Sequence, residues 1–310
     1  AALIHYTTLV MAGSATVSGR GLLLITCFEL LSADAMHAAL AAIKTLLPEL
    51  PQRRSRRWQH RQRGGQLAMR AALRAASRKA GLVLPQFQTR QTAPRPLVIV
   101  CDISGSMEHY SRVMLHFIHG LTQHQPAVHS FLFGTKLTNI TRQMRQRDVD
   151  AAVQAISISV ADWSGGTLIG SNLQRFNRDW SRRVLTGGAS VILITDGLDC
   201  TPDGDMSALQ RLHFEMERLH KSTYNLIWLN PLLRFDGFAP KSHSIQTMLP
   251  HVDDFLPMHS LQSISDIADA MQMIGRRRSK QLIGWQKLAR DAGDTARRYI
   301  SYAQIKGAST

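Results

Sequence analysis

Two short apolar runs, Leu97 to Cys101 and Ala189 to Thr195, each end directly on an aspartate, Asp102 and Asp196. A continuous apolar run of this length, with turn residues at its ends, reads as a strand buried on both faces. Pro94 and Pro96 punctuate the chain just before the first run, so the main domain starts there. Downstream, Met107 to Thr122 reads as a helix, Val128 to Phe133 and Lys136 to Thr141 as strands, and Ile169 to Val184 as a helix. Met206 to Leu219 follows as a helix and Tyr224 to Leu229 as a strand. Leu261 to Met273 is a last helix after Asp254 to Pro257. Strands alternating with helices predict an α/β fold with a doubly wound, mainly parallel sheet. The short Phe133 to Lys136 connection allows one antiparallel edge strand.

In such a sheet the carboxyl ends of the strands open on one crevice, where ligands bind. Asp102-Ile103-Ser104-Gly105-Ser106 and Asp196-Gly197 both fall at strand ends. A third element, Ser164-Gly165-Gly166-Thr167, precedes the Ile169 helix, and its glycines let the backbone turn sharply enough to bring Thr167 in. Asp, Ser and Gly are common in ordinary turns, so a lone Asp-x-Ser-x-Ser would carry little weight. Three elements in the order one site requires carry far more. Asp102, Ser104, Ser106, Thr167 and Asp196 supply five oxygen donors, which suit a hard cation, Mg²⁺ or Mn²⁺. Only two of the five are charged, which leaves the ion electrophilic, so a carboxylate from a partner protein is the expected further ligand.

Rival chemistries fail on specific residues. The sequence has no Gly-x-x-x-x-Gly-Lys-Ser/Thr loop, no His-Glu-x-x-His and no Gly-x-Ser-x-Gly. An aspartyl-phosphate reading of Asp102 wants a second acid where Ser104 stands. A binding protein rather than an enzyme is therefore expected. The thirteen histidines form no compact ligand pattern, and His116 and His119 fall within the helix after the site. Cys27, Cys101 and Cys200 are odd in number and widely spaced, which fits a reduced compartment and gives Cys200 no role.

Charge adds a second theme. The chain carries 37 Lys and Arg against 22 Asp and Glu, and from Pro51 to Cys101 there is no acidic residue at all. Leu67 to Lys79 has helix-forming composition, with Arg70, Arg74 and Arg78 at four-residue steps along one face. Ala35 to Leu47 repeats apolar residues at helical spacing until Pro48 stops it. Three regions result: 1–93, helical and Arg-rich; 94–275, the main α/β domain; and 276–310, a basic and helical tail. The cationic stretch suits an acidic protein or, as the alternative, nucleic acid. Only Trp58 and Phe87 are interleaved as stacking residues, which favours protein. The run Gly21 to Leu31 is too short for a membrane span. Ala1 to Met11 lacks the cationic head of a secretory signal, so a cytoplasmic protein is expected.

Longer strings resemble a known family. Pro94 to Met107 (PRPLVIVCDISGSM), Asp162 to Asn177 (DWSGGTLIGSNLQRFN), Ile192 to Asp199 (ILITDGLD), Ile227 to Leu232 (IWLNPL) and Pro250 to Ser260 (PHVDDFLPMHS) are similar to the CoxE-like von Willebrand factor A (VWA) domain proteins of bacteria. The resemblance runs from about Arg53 to Leu261. It implies a VWA, Rossmann-like fold with a metal-ion-dependent adhesion site (MIDAS), its ligands at Asp102, Ser104, Ser106, Thr167 and Asp196. It also implies a MoxR-type AAA+ ATPase as partner. Together the two would act in chaperone-like maturation or activation of a metalloenzyme of the carbon monoxide dehydrogenase or molybdenum hydroxylase type. Related pairs of ATPase and A-domain protein reactivate Rubisco.

Overall fold

The computed structural model describes residues 52–78, 84–125, 127–160, 166–200, 206–235, 237–258, 263, 266, 267, 270 and 282–291. The Ala35 to Leu47 helix, most of the Leu261 to Met273 helix and most of the 276–310 tail lie outside these residues.

Among the described residues the main sheet has six strands: β4 (Leu97–Asp102), β5 (Val128–Phe133), β6 (Leu137–Asn139), β7 (Ser190–Ile194), β8 (Asn225–Asn230) and β9 (Asp254–Pro257). Their spatial order is β6-β5-β4-β7-β8-β9. All neighbouring pairs are parallel except β5 with β6, which makes β6 the antiparallel edge strand. The chain first winds outward from β4 to β5 and then resumes on the other side with β7. The reversal lies between β4 and β7, and in sheets of this kind ligands bind in the crevice outside the carboxyl ends of the strands at such a switch point.

Every residue of β4, β7 and β8 is buried. Alternation divides them between two cores. Leu97, Ile99 and Cys101 pack with Met114, Phe117, Ile118 and Leu121 of α2 (Glu108–His124) and with Ile156 of α3 (Val149–Ser159). Val98 and Val100 pack with Ile169, Leu173 and Phe176 of α4 (Ile169–Asp179) and with Leu212, Met216 and Leu219 of α5 (Met206–Ser222). Leu282 and Ala289 of the helical stretch 282–291 join this second core. Helices on both faces explain why the strands read as unbroken apolar runs rather than as alternations.

The expected Ile169 to Val184 helix breaks at Trp180, which separates α4 from a short helix Ser181–Val184. Helix α3 carried no sequence-based expectation. Its start is fixed by Asp148, whose carboxylate accepts the Asp150 amide at 3.1 Å, an N-cap in front of a segment with weak apolar periodicity.

The expectation of a purely helical region before the main domain is corrected. α1 (Met69–Arg78) is present, but β1 (Gln52–Arg61), β2 (Gln66–Leu67) and β3 (Phe87–Pro94) form a separate antiparallel sheet of order β1-β3-β2. Its strands are built from Arg, Gln, Thr and Ser with hardly an apolar residue. The period-2 burial signal that identifies a strand is therefore missing, and backbone pairing with long polar stems decides the structure. Arg90 pairs directly with Trp58, its guanidinium 5.3 Å from the indole centroid. The sheet is tied to the base of the main domain. Arg95 donates to the Gly188 carbonyl at 3.1 Å and lies 3.5 Å from the centroid of the Tyr224 ring. The Arg53 guanidinium fills the space where a side chain at Gly187 would go. Gly187, Gly188 and Tyr224 stand just before β7 and β8, at the end of the sheet opposite the crevice.

Candidate metal centre

Asp102 is the last residue of β4 and is fully buried. Its Oδ1 accepts the Ser104 amide at 2.9 Å and the Thr167 hydroxyl at 3.3 Å. Its Oδ2 accepts the Thr195 hydroxyl at 2.8 Å. Ser104 and Thr167 are themselves buried. Elements from three loops therefore converge on one carboxylate. Asp196, buried at the end of the adjacent β7, stands close enough for its charge to be felt at Asp102. Ser106 lies in a 3₁₀ turn, Gly105–Met107, but its side chain is outside the described residues, as are Ser164 and Gly165.

Each donor is held by a local device. Ile103 continues past β4 by donating its amide to the Phe133 carbonyl at 3.0 Å, which aims the loop across β5. Asp196 Oδ1 accepts the Leu198 amide at 2.9 Å, and its carbonyl accepts Asn230 Nδ2 at 2.9 Å. Between them Gly197 turns at φ 79°, and a Cβ there would come within 2.7 Å of the Trp228 ring and 2.8 Å of Ile245. Only glycine lets the chain pass. Thr167 is clasped to the Asp196 loop: its amide donates to Cys200 Sγ at 3.2 Å, and its carbonyl accepts the Cys200 amide at 2.9 Å.

Thr195, Asn230 and Cys200 were not expected to serve the site. Thr195 read only as the end of an apolar strand, yet its hydroxyl donates to Asp102 and accepts the Gly197 amide at 3.1 Å. A threonine between an apolar run and Asp-Gly was the available signal. Asn230 closes β8 in a wholly buried position, and its Oδ1 also accepts the Leu232 amide. A polar amide ending a buried strand was the corresponding signal there.

Burial pushes the Asp102 carboxyl up to about 6 and the Asp196 charge adds to the rise, while the Ser104 amide, the Thr195 hydroxyl and the Ser104 hydroxyl oppose it. Two carboxylates taken out of water side by side are costly without a compensating cation. Among the described residues no three His, Cys, Asp or Glu side chains converge on a metal-sized point. The donor set is thus two carboxylates with hydroxyls, all hard oxygen, and fits Mg²⁺ or Mn²⁺ rather than a zinc cluster. Buried Cys101 is no rival, since burial first and the Asp102 charge second hold its thiol protonated.

A six-stranded mixed sheet wrapped by helices, with this crevice at its switch point, defines a VWA domain. The chain belongs to the CoxE-like family: residues 36–264 match the model for VWA domain containing CoxE-like proteins. No curated protein matches the sequence. Among solved structures, proximal thread matrix protein 1 from the mussel byssus, with a zinc-occupied MIDAS motif, aligns over 57% of this chain and 47% of its own at 14% identity and TM-score 0.35. This chain thus spans about half the length of that protein. An aerotolerance-related membrane protein from Bacteroides fragilis aligns over 57% of this chain and 98% of its own at 15% identity and TM-score 0.36. The pilus adhesin SpaC from Lactobacillus rhamnosus GG aligns over 59% and 30% at 16% identity and TM-score 0.38.

Proposed function

We propose that this protein is a metal-dependent, non-catalytic adaptor whose crevice grips an Asp or Glu of a partner protein. Asp102, Ser104, Ser106, Thr167 and Asp196 would hold Mg²⁺ or Mn²⁺. The bound ion would supply an electrophilic position for the incoming carboxylate. The chain's own residues prepare that position. Thr195 and Ser104 fix the Asp102 carboxylate, and Asn230 and the Gly197 turn fix Asp196. Cys200 holds the Thr167 backbone. The single observation that carries the reading is the convergence of Ser104, Thr167 and Thr195 on a fully buried Asp102 beside a second buried carboxylate.

Membership of the CoxE-like family extends the proposal to a MoxR-type AAA+ ATPase as co-worker and a metalloenzyme client of the carbon monoxide dehydrogenase or molybdenum hydroxylase type, in the cytoplasm. No described helix is long and apolar enough to cross a membrane. The test is affinity capture from nuclease-treated lysate in Mg²⁺ or EDTA, with mass spectrometry of what is retained. Recovery of an AAA+ ATPase and a metalloenzyme, with the client lost in EDTA and in Asp102→Ala, is the expected result. Capture indifferent to both would overturn the metal grip.

A further inference from the structure

The arginine-rich region carries an unexpected second property: it also exposes large apolar side chains. Trp58, Leu67, Met69, Leu73 and Leu84 are each between 42% and 56% exposed. They make up five of the twelve exposed large hydrophobic residues described, within a stretch of 27 residues. A solvated cationic face does not need them, and a surface built only for phosphates would not gain from them.

On α1 the two characters lie side by side. Ala72 and Ala76 face inward, while positions 69, 70, 73, 74, 77 and 78 are exposed. Met69 and Leu73 form one row, one turn apart, and Arg70, Arg74 and Arg78 form the adjoining row. The Arg74 guanidinium folds back on the Arg70 carbonyl at 3.2 Å, so it stays over the helix surface. An apolar strip rimmed by cations suits contact with an amphipathic partner. Eleven arginines and no acid across 52–95 fix the sign of the partner. The matching occupant is an acidic amphipathic segment that lays its apolar side on Met69 and Leu73 and its carboxylates on the arginine row.

The topology anchors the sheet beside this face at the end of the main domain away from the metal site. β3 passes into β4 through Arg95 and Pro96 alone. Arg53 and Arg95 clamp the near end of the small sheet to the turn before β7, at the amino ends of the main strands. α1 follows Leu67, which pairs with Phe87 at the far end of β3, whereas Arg53 pairs with Ala93 at the near end. The metal site lies at the carboxyl ends, a strand length of about 17 Å from that anchoring turn.

We infer that the Met69–Arg78 helix is a second, metal-independent docking site for an acidic amphipathic protein segment, carried with a small sheet that is anchored at the amino ends of the main strands. The chain is then a bridge with two separate docking sites. This deepens the adaptor reading but stands without the metal, and its test is run in EDTA for that reason.

The probe is a fluorescent synthetic peptide of about four helical turns, with Leu at helical spacing and Glu flanking it. Binding to the full chain is followed by fluorescence anisotropy in EDTA. Affinity should fall steeply with added salt, and should fall about tenfold or more in R70E/R74E/R78E and again in M69S/L73S. A peptide of the same composition with its Leu residues dispersed should bind about tenfold more weakly, and Asp102→Ala should bind as the wild type does. Should charge reversal unfold α1 by circular dichroism, R70Q/R74Q/R78Q carries the test instead. Failure of the wild type to bind, or binding indifferent to M69S/L73S, overturns the inference. So does poly(U) binding lost only in the arginine variant, which would make nucleic acid the occupant. Loss in Asp102→Ala would move the peptide to the metal crevice and overturn it equally.

Discussion

Replacing Asp102 by Asn in the metal-free protein should stabilise it, against the usual expectation for a buried polar residue with three neighbouring donors. The carboxyl is held at about 6 against an ordinary 3.8, with burial as the leading cause. Two units at about 1.4 kcal/mol each make the ionised form about 3 kcal/mol costlier in the fold than in the unfolded chain at neutral pH. The folded value lies above the unfolded one. The penalty is therefore absent below about pH 4, grows as pH rises through 4 to 6, and is complete above that. Asn keeps an acceptor for the Ser104 amide, and its NH₂ can donate to the Thr195 hydroxyl, which is free to rotate. The hydrogen bonds that favour the ionised form are already contained in that value, so Asn, the neutral counterpart of the carboxyl, recovers most of it. The net expectation is a metal-free variant about 2–3 kcal/mol more stable than wild type at pH 7.5, with the gap closing toward pH 4. Urea unfolding in EDTA across that range reads both effects. Saturating Mg²⁺ should then raise the wild type and leave the variant unmoved. A variant less stable at pH 7.5, or a gap independent of pH, would refute the argument that an uncompensated charge dominates this site.

Other outcomes follow from the same geometry. Gly197→Ala combines a left-handed φ with a Cβ driven into Trp228 and Ile245, and should cost about 2–4 kcal/mol in denaturant unfolding while displacing Asp196. Thr195→Val keeps the shape but removes the donor to Asp102 Oδ2, and should lower stability by about 1–2 kcal/mol and weaken Mn²⁺ binding several-fold by titration. Alkylation of the native protein followed by peptide mapping should label exposed Cys200 and spare Cys101, whose buried thiol is held protonated. Label on Cys101 under native conditions would mean that the β4 core opens.

The central fold was legible because its chemistry is extreme. Leu97 to Cys101 and Ala189 to Thr195 have one plausible home, between two layers of helices, and each delivers an aspartate to the same edge. The ends of elements were less legible. The sequence pattern carries a strand through to Thr141, yet Thr141 starts a short helix and its hydroxyl bonds the Ser130 backbone instead. The small sheet was not legible at all. Arg54 and Trp58 on β1 sit opposite Thr92 and Arg90 on β3 across a register shift, and no apolar alternation announces either strand. The supporting residues of the site escaped for a different reason. Thr195 and Asn230 act through single hydrogen bonds to groups far away in sequence, and only the fold brings those groups within reach.

The account stands on a divalent ion bound between Asp102 and Asp196, and the most direct measurement is a Mn²⁺ titration of the purified chain followed by electron paramagnetic resonance. One site, displaced by Mg²⁺ and abolished in Asp102→Ala, is the predicted result. An unchanged free-Mn²⁺ signal at millimolar protein and metal, or equal binding by wild type and Asp102→Ala, would contradict it.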